Sequence, residues 1–352
     1  MLLKIKYYKF AYMQLLRLMA FPISLVYALV VYLRNLLYDL GVFKSTSFKT
    51  PTICIGNLSV GGTGKTPMIE FILRLFQDDY KIAVLSRGYR RKTKGFLLAD
   101  KNSTVKELGD EPFQIYSKFK GIFLAVDENR GHGISNLENL VKPDLILLDD
   151  AFQHRKVKPS FSILLTTYDN LYVNGWYLPT GDLRDSKMES KRADIIAITK
   201  CPENITKKQQ QKVIIQIKPK EHQKVIFGKL VYSDFLVGEN DKIPLSHIKG
   251  KYFSLVTGIA NPEPLVLYLK SISDSFEHFS YKDHHFFNED DIASFSKNEL
   301  VITTEKDFTK LNGRCENLFY LEMKHEFQDD GKSIIKESIR SLMPDFPVPS
   351  SS

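Results

Sequence analysis

The run Gly56-Asn57-Leu58-Ser59-Val60-Gly61-Gly62-Thr63-Gly64-Lys65-Thr66 sets glycines, a lysine and a hydroxyl in the order that a phosphate-binding loop needs. Glycines let backbone N–H groups turn inward on phosphate oxygens, and a helix that follows adds the positive end of its dipole. Lys65 supplies a point charge and Thr66 a hydroxyl suited to Mg2+. Gly61, Gly62, Thr63, Gly64, Lys65 and Thr66 are therefore the expected nucleotide ligands. Pro67 fits the first turn of a helix, where its missing N–H costs nothing. A flexible linker would not explain Gly64-Lys65-Thr66 directly before a helical segment. The usual loop has a glycine where Ser59 stands, although Gly56, Gly61 and Gly62 lie close by.

A second constellation is Leu145-Ile146-Leu147-Leu148-Asp149-Asp150, an apolar run ending in two acids. At the carboxyl end of a parallel strand such carboxylates can reach a Mg2+ ion beside a phosphate loop. Thr66, Asp149, Asp150 and Gln153 form the expected metal set. A guanine-reading element would end in aspartate, but the nearest candidate, Thr199-Lys200-Cys201-Pro202, ends in proline. ATP is favoured over GTP.

These residues need a scaffold, and the pattern supplies one. Short apolar runs at 52–55, 82–85, 122–126, 145–148, 162–165 and 195–198 alternate with helical or polar stretches, the rhythm of a parallel α/β sheet. Beyond Pro202 a Lys/Gln-rich segment precedes further runs at 213–217, 225–227, 252–256, 300–303 and 318–321. The expected fold is a P-loop NTPase-like parallel sheet domain with a second, smaller α/β domain and an N-terminal membrane-associated helix. Its expected bounds are 1–40 for the helix, 41–215 for the nucleotide domain, 216–346 for the smaller domain and 347–352 for a tail. The segment from Pro344 to Ser352, rich in Pro and Ser, is expected to be disordered.

With 43% hydrophobic and 26% charged residues the chain can bury ordinary cores. The formal charge of +8 favours anionic partners. No zinc-finger spacing, helix-turn-helix or aromatic/basic RNA motif accompanies it, so nucleic acid is not an expected partner. Cys54, Cys201 and Cys315 are scattered and lack metal-ligand spacing, which points to reduced thiols and the cytosol. From Leu18 to Leu33 the chain is uncharged, preceded by Lys4, Lys6, Lys9 and Arg17 among Tyr7, Tyr8, Phe10 and Tyr12. That stretch is shorter than the roughly 20 residues of a spanning helix. A signal peptide would need a small-residue cleavage site, and a nucleotide loop follows instead. The remaining readings are a helix lying in the interface of an anionic membrane and a core helix capping the domain.

Taken together, GNLSVGGTGKTP from Gly56, LSRGYRR from Leu85, GDEP from Gly109, DDAFQH from Asp149, LPTGDLR from Leu178, TKCP from Thr199, DHH from Asp283 and TEKD from Thr304 resemble one family. It is the tetraacyldisaccharide 4′-kinases of lipid A biosynthesis, and the resemblance covers roughly residues 15 to 310. Ser59 matches that family's own version of the loop, whereas Asp182 is less typical of it. The resemblance implies transfer of the ATP γ-phosphate to the 4′-hydroxyl of a tetraacyldisaccharide 1-phosphate at the cytoplasmic face of a bacterial inner membrane. It implies ATP and Mg2+ as cofactors, a lipid substrate and no obligate protein partner. By the same carry-over Asp110 is the expected base and His284 its partner. Without the resemblance Glu111 would serve as well as Asp110, and His284-His285 would read as a surface pair ahead of Phe286 and Phe287; with it His284 is preferred to His285. Arg130 is a candidate for stabilising charge on the transferred phosphoryl group. The basic string Arg87–Lys92 could cover the nucleotide or dock the substrate phosphate. A generic P-loop ATPase of the metallochaperone type would use the same loop and acids without the lipid-facing helix.

Overall fold

The computed structural model describes residues 17–343. The basic and aromatic start, Lys4 to Tyr12, and the tail Pro344–Ser352 lie outside the described residues. In chain order the elements are α1 (Phe21–Asp39), β1 (Thr52–Gly56), α2 (Lys65–Phe76), β2 (Ile82–Ser86), β3 (Leu97–Leu98), α3 (Val105–Leu108), α4 (Asp110–Lys118), β4 (Phe123–Val126), α5 (Arg130–Leu140), β5 (Leu145–Asp149), β6 (Phe161–Thr167) and β7 (Ile195–Thr199). There follow α6 (Lys207–Ile217), β8 (Lys224–Val237), β9 (Lys242–Pro244), β10 (Phe253–Thr257), α7 (Glu263–Lys270), β11 (Phe276–Ser280), α8 (Glu289–Phe295), β12 (Val301–Thr303), α9 (Glu305–Leu311), β13 (Leu318–Phe327) and α10 (Gly331–Arg340).

The chain forms two units. The first has its described part in 17–87, 129–230 and 325–343, and the second in 88–128 and 231–324. In the first, the parallel strands run β8-β7-β6-β1-β5-β2. Every residue of β1, β2, β5 and β7 is buried, the pattern of a parallel sheet covered on both faces. In the register of β1 on β5, Ile55 faces Asp149, so the loop after β1 and the acids after β5 leave the same sheet edge.

The second unit carries the parallel order β11-β10-β12-β13 and the antiparallel pairs β3–β4 and β8–β9. One face of its parallel sheet packs Leu236, Phe253, Leu255, Leu269 and Ile302, and the other Val256, Phe287, Phe295, Val301 and Leu311. Helix α9 packs against α4 within this unit.

Two features differ from the sequence reading. Its single boundary between 215 and 216 becomes four crossings, after Arg87, Glu128, Leu230 and Lys324. Composition gives no sign of the excursion over 88–128, which alternates short strand and helix just as its flanks do. The apolar run 213–217 forms the last turns of α6. A capping box between Thr206 and Gln209, followed by good helix formers, starts that helix upstream.

Candidate active site

In the first unit the phosphate loop is shaped by backbone positions that only glycine fills easily. A Cβ on Gly56 would stand 2.7 Å from Phe152 Cβ, and Gly61 and Gly64 adopt φ of +112° and +88°. Ser59, the departure from the usual pattern, needs no such freedom. Its backbone bridges Leu183, the next amide, Val60, donates to the Asp182 carbonyl at 2.7 Å, and the Arg184 amide donates to Leu58 at 2.8 Å. Asn57 Nδ2 donates to Thr63 Oγ1 at 3.0 Å, and Thr199 Oγ1 donates to the Thr63 carbonyl at 2.8 Å. Lys65 and Thr66 begin α2, so Gly61–Thr66 is one continuous cradle at a helix N-terminus.

Asp149, at the end of β5, is buried and accepts from Ser86 Oγ at 2.7 Å, while its Oδ1 has no hydrogen-bond partner among the described residues. Burial, and then the Asp150 charge, push its carboxyl up. A buried open carboxylate oxygen of this kind suits a divalent cation, and Thr66 is the hydroxyl on the loop side. The other two expected ligands also have protein partners. Asp150, at φ +47°, accepts from Arg184 Nη1 on Oδ2 at 2.9 Å and from Arg184 Nη2 on Oδ1, with Lys65 Nζ 3.7 Å away. Against its burial, the Arg184 hydrogen bonds and the Lys65 charge hold its carboxyl low. Gln153 spends its Nε2 on the Asn57 carbonyl at 2.7 Å, which braces the start of the loop.

Arg130 opens α5, is buried, and donates from Nη2 to the Asp149 carbonyl at 3.1 Å. It therefore orients the acid-bearing turn and keeps positive charge beside it. His154 is pushed down to about 4 by burial and then by the Arg130 and Arg87 charges. Of the basic string, Arg91 is tied to Glu128, Gly95 and Thr93, which leaves it no free fork for a phosphate.

The sequence reading missed His325. At the end of β13 it is buried, stacks on Phe327 with 18° between the rings, and places Nε2 2.9 Å from the Gly64 carbonyl.

In the second unit Asp110 is the first residue of α4, after Gly109 at φ +91°. A Cβ on Gly109 would stand 2.8 Å from the Tyr89 carbonyl. His284 Nδ1 lies 2.9 Å from Asp110 Oδ2, although the two are 174 residues apart. His285 is engaged elsewhere, with Nε2 2.8 Å from Asp291 Oδ2 and its ring stacked on Tyr281 at 4.7 Å. Glu111, the alternative acid, is exposed at the second position of the same helix. With Nδ1–H held by the carboxylate, Nε2 is the acceptor of the neutral ring, and Lys306 Nζ lies 3.3 Å from it.

Helix α1 in the first unit reverses the usual amphipathic arrangement. Its inner face is polar: Ser24 Oγ meets Thr180 Oγ1 at 2.8 Å, Tyr27 Oη donates to the Arg184 carbonyl at 3.0 Å, and Asn35 Nδ2 donates to Asp185 Oδ1 at 2.8 Å. Ile23, Leu25, Val26, Leu29, Val30 and Leu33 are exposed on it, and exposed Trp176 lies edge-on to Phe21 at 5.5 Å. Among the described residues it is the helix long and apolar enough to cross a membrane by length and composition.

A parallel sheet that feeds a glycine loop into a helix N-terminus, with a buried acid on the adjacent strand, defines a P-loop nucleotide-binding protein. A family profile described as Tetraacyldisaccharide-1-P 4′-kinase matches residues 16–340, and the chain belongs to that family. Tetraacyldisaccharide 4′-kinase of Flavobacterium johnsoniae is 46% identical over 321 residues, spanning 90% of this chain and 94% of that one. The enzyme of the same name from Bacteroides thetaiotaomicron is 42% identical over 311 residues, 83% of this chain and 82% of the other. The crystal structure of LpxK from Aquifex aeolicus in complex with ATP superposes with a TM-score of 0.77 at 28% identity, covering 94% of this chain and 100% of that one.

Proposed function

We propose that this chain transfers the γ-phosphate of ATP to the 4′-hydroxyl of tetraacyldisaccharide 1-phosphate, giving the bis-phosphorylated lipid A precursor. The observation that carries the reading is the 2.9 Å contact between His284 Nδ1 and Asp110 Oδ2. Phosphoryl transfer to a hydroxyl needs a group that takes its proton, and a carboxylate-oriented imidazole is suited to that. Gly61, Gly62, Thr63, Gly64, Lys65 and Thr66 hold the ATP phosphates. Asp149 and Thr66 would hold Mg2+, which would supply positive charge to neutralise the phosphates. Arg130 acts through the Asp149 turn, and Asp150, paired with Arg184, positions the Lys65 ammonium.

The exposed apolar face of α1 supports seating on the bilayer that holds the lipid substrate. A helix whose polar face is bonded to Thr180, Arg184 and Asp185 lies along its own unit, which favours the interface over a span. We place the enzyme on the cytoplasmic face of the inner membrane, where ATP is available.

Incubating detergent-solubilised protein with Mg·ATP and tetraacyldisaccharide 1-phosphate, and weighing the lipid by mass spectrometry, tests the reading. Addition of one phosphate to the disaccharide is expected. ATP hydrolysis with unchanged lipid would instead assign a generic P-loop ATPase.

A further inference from the structure

Five residues of the second unit close a ring of hydrogen bonds and ion pairs around the proposed dyad. Asp110 Oδ2 lies 2.9 Å from His284 Nδ1 and 3.0 Å from Lys310 Nζ. Lys310 Nζ also reaches Asp307 Oδ1 at 3.3 Å. Asp307 Oδ2 accepts from the Gly258 amide at 2.7 Å, and the Gly258 carbonyl accepts from the His284 amide at 3.1 Å. Asp307 and Lys310 are buried, and a Cβ on Gly258 would stand 2.9 Å from Asp307 Oδ1. His284 itself sits at φ +63°, a conformation that a histidine keeps only when its surroundings hold it.

The charges in the ring decide its role. Asp110 and Asp307 against Lys310 leave one negative charge, and the neighbouring Lys306 and Asp283, 2.9 Å apart, cancel. Thr304 and Tyr89, which also border the cluster, are neutral. One net negative charge beside the ring stabilises the imidazolium that forms when the substrate proton arrives. We propose that Lys310, held by Asp307, is a positioning residue for phosphoryl transfer: it fixes the Asp110 carboxylate against His284 and offsets one of the two carboxylate charges that the imidazole faces. This rests on the reading of Asp110 and His284 as the proton-accepting pair. Losing the ammonium leaves two negative charges beside His284, which favours a proton on the ring before substrate arrives. Losing the Asp307 charge leaves none, and the drive to take a proton falls.

The two changes therefore have opposite signs. Kinase kinetics should be followed from about pH 6 to about pH 9 for wild type, Lys310→Met, Lys310→Arg, Asp307→Asn and Asp110→Asn. In Lys310→Met, kcat at neutral pH should fall roughly 10- to 100-fold with the KM for ATP unchanged, and the loss should shrink as pH rises. Lys310→Arg, which keeps the charge, should retain most activity. Asp307→Asn should move the acid limb to lower pH, a shift that damaged packing does not imitate and that stands if Lys310→Met fails to fold. Losses equal at every pH, or limbs that move together, would overturn the role of Lys310. Wild-type activity in Asp110→Asn would overturn the dyad reading beneath it.

Discussion

His325 Nε2 lies 2.9 Å from the carbonyl oxygen of Gly64, the residue that precedes the phosphate-loop lysine. For that contact to be a hydrogen bond the proton sits on Nε2, and Nδ1 is buried without a partner among the described residues. The ring is a backstop: a Cβ on Gly64 would stand 2.9 Å from Nε2. His325→Phe keeps the flat ring against Phe327 and removes one of two donors to that carbonyl, which the Met68 amide still reaches at 3.0 Å, at a cost of about 0.5–1.5 kcal/mol. The KM for ATP should rise roughly 2- to 10-fold, and His325→Gln, which restores a donor, should recover most of it. An unchanged KM in His325→Phe would remove His325 from the loop's support.

The same residue gives a pH signature. Burial pushes His325 down from 6.5 to about 4. Above pH 6.5 the ring is neutral in both folded and unfolded chains, so it contributes no slope. As pH falls from 6.5 toward 4 the unfolded chain takes a proton that the folded chain refuses, and stability falls by on the order of 3 kcal/mol. His154, also pushed down to about 4, adds a loss in the same window. Asp149, pushed up, acts in the opposite sense. The clean reading is therefore the difference in urea unfolding between wild type and His325→Phe, which should move against the wild type as pH drops from about 6.5 to about 4. A constant difference would contradict it.

How far the sequence led depends on whether chemistry was contiguous. The loop from Gly56 to Thr66 and the strand ending in Asp149 could be read because each motif occupies one stretch and one sheet edge. The pairing of Asp110 with His284 across 174 residues came only from the family resemblance, since a lone acid and a histidine pair carry no mutual signal. Asp150 and Gln153 were read as metal ligands from proximity to Asp149. What sequence could not display is Arg184, which folds back to occupy both Asp150 oxygens, and the Asn57 carbonyl, which takes the Gln153 amide. His325 and Lys310 stand outside any motif, and only the strand end and the helix face that carry them give them meaning.

Charge on the outer face of α1 separates membrane seating from folding. Val26 and Leu29 are 63% and 56% exposed, so Val26→Glu with Leu29→Glu should change stability by no more than about 0.5 kcal/mol each. Sedimentation with anionic vesicles should fall several-fold, by the loss of two apolar contacts and the added repulsion. Full retention on vesicles would put the membrane contact elsewhere on the chain.

In the proposed reaction, loop-bound ATP gives up its phosphate to a hydroxyl whose proton goes to the Asp110–His284 pair. A single-turnover experiment with γ-labelled ATP, tetraacyldisaccharide 1-phosphate and either wild type or Asp110→Asn tests it most directly, with ATP affinity measured alongside. Label on the lipid with wild type, a rate lower by on the order of 10²-fold or more with Asp110→Asn, and equal ATP affinity in both are expected. Transfer at the wild-type rate by Asp110→Asn would contradict it.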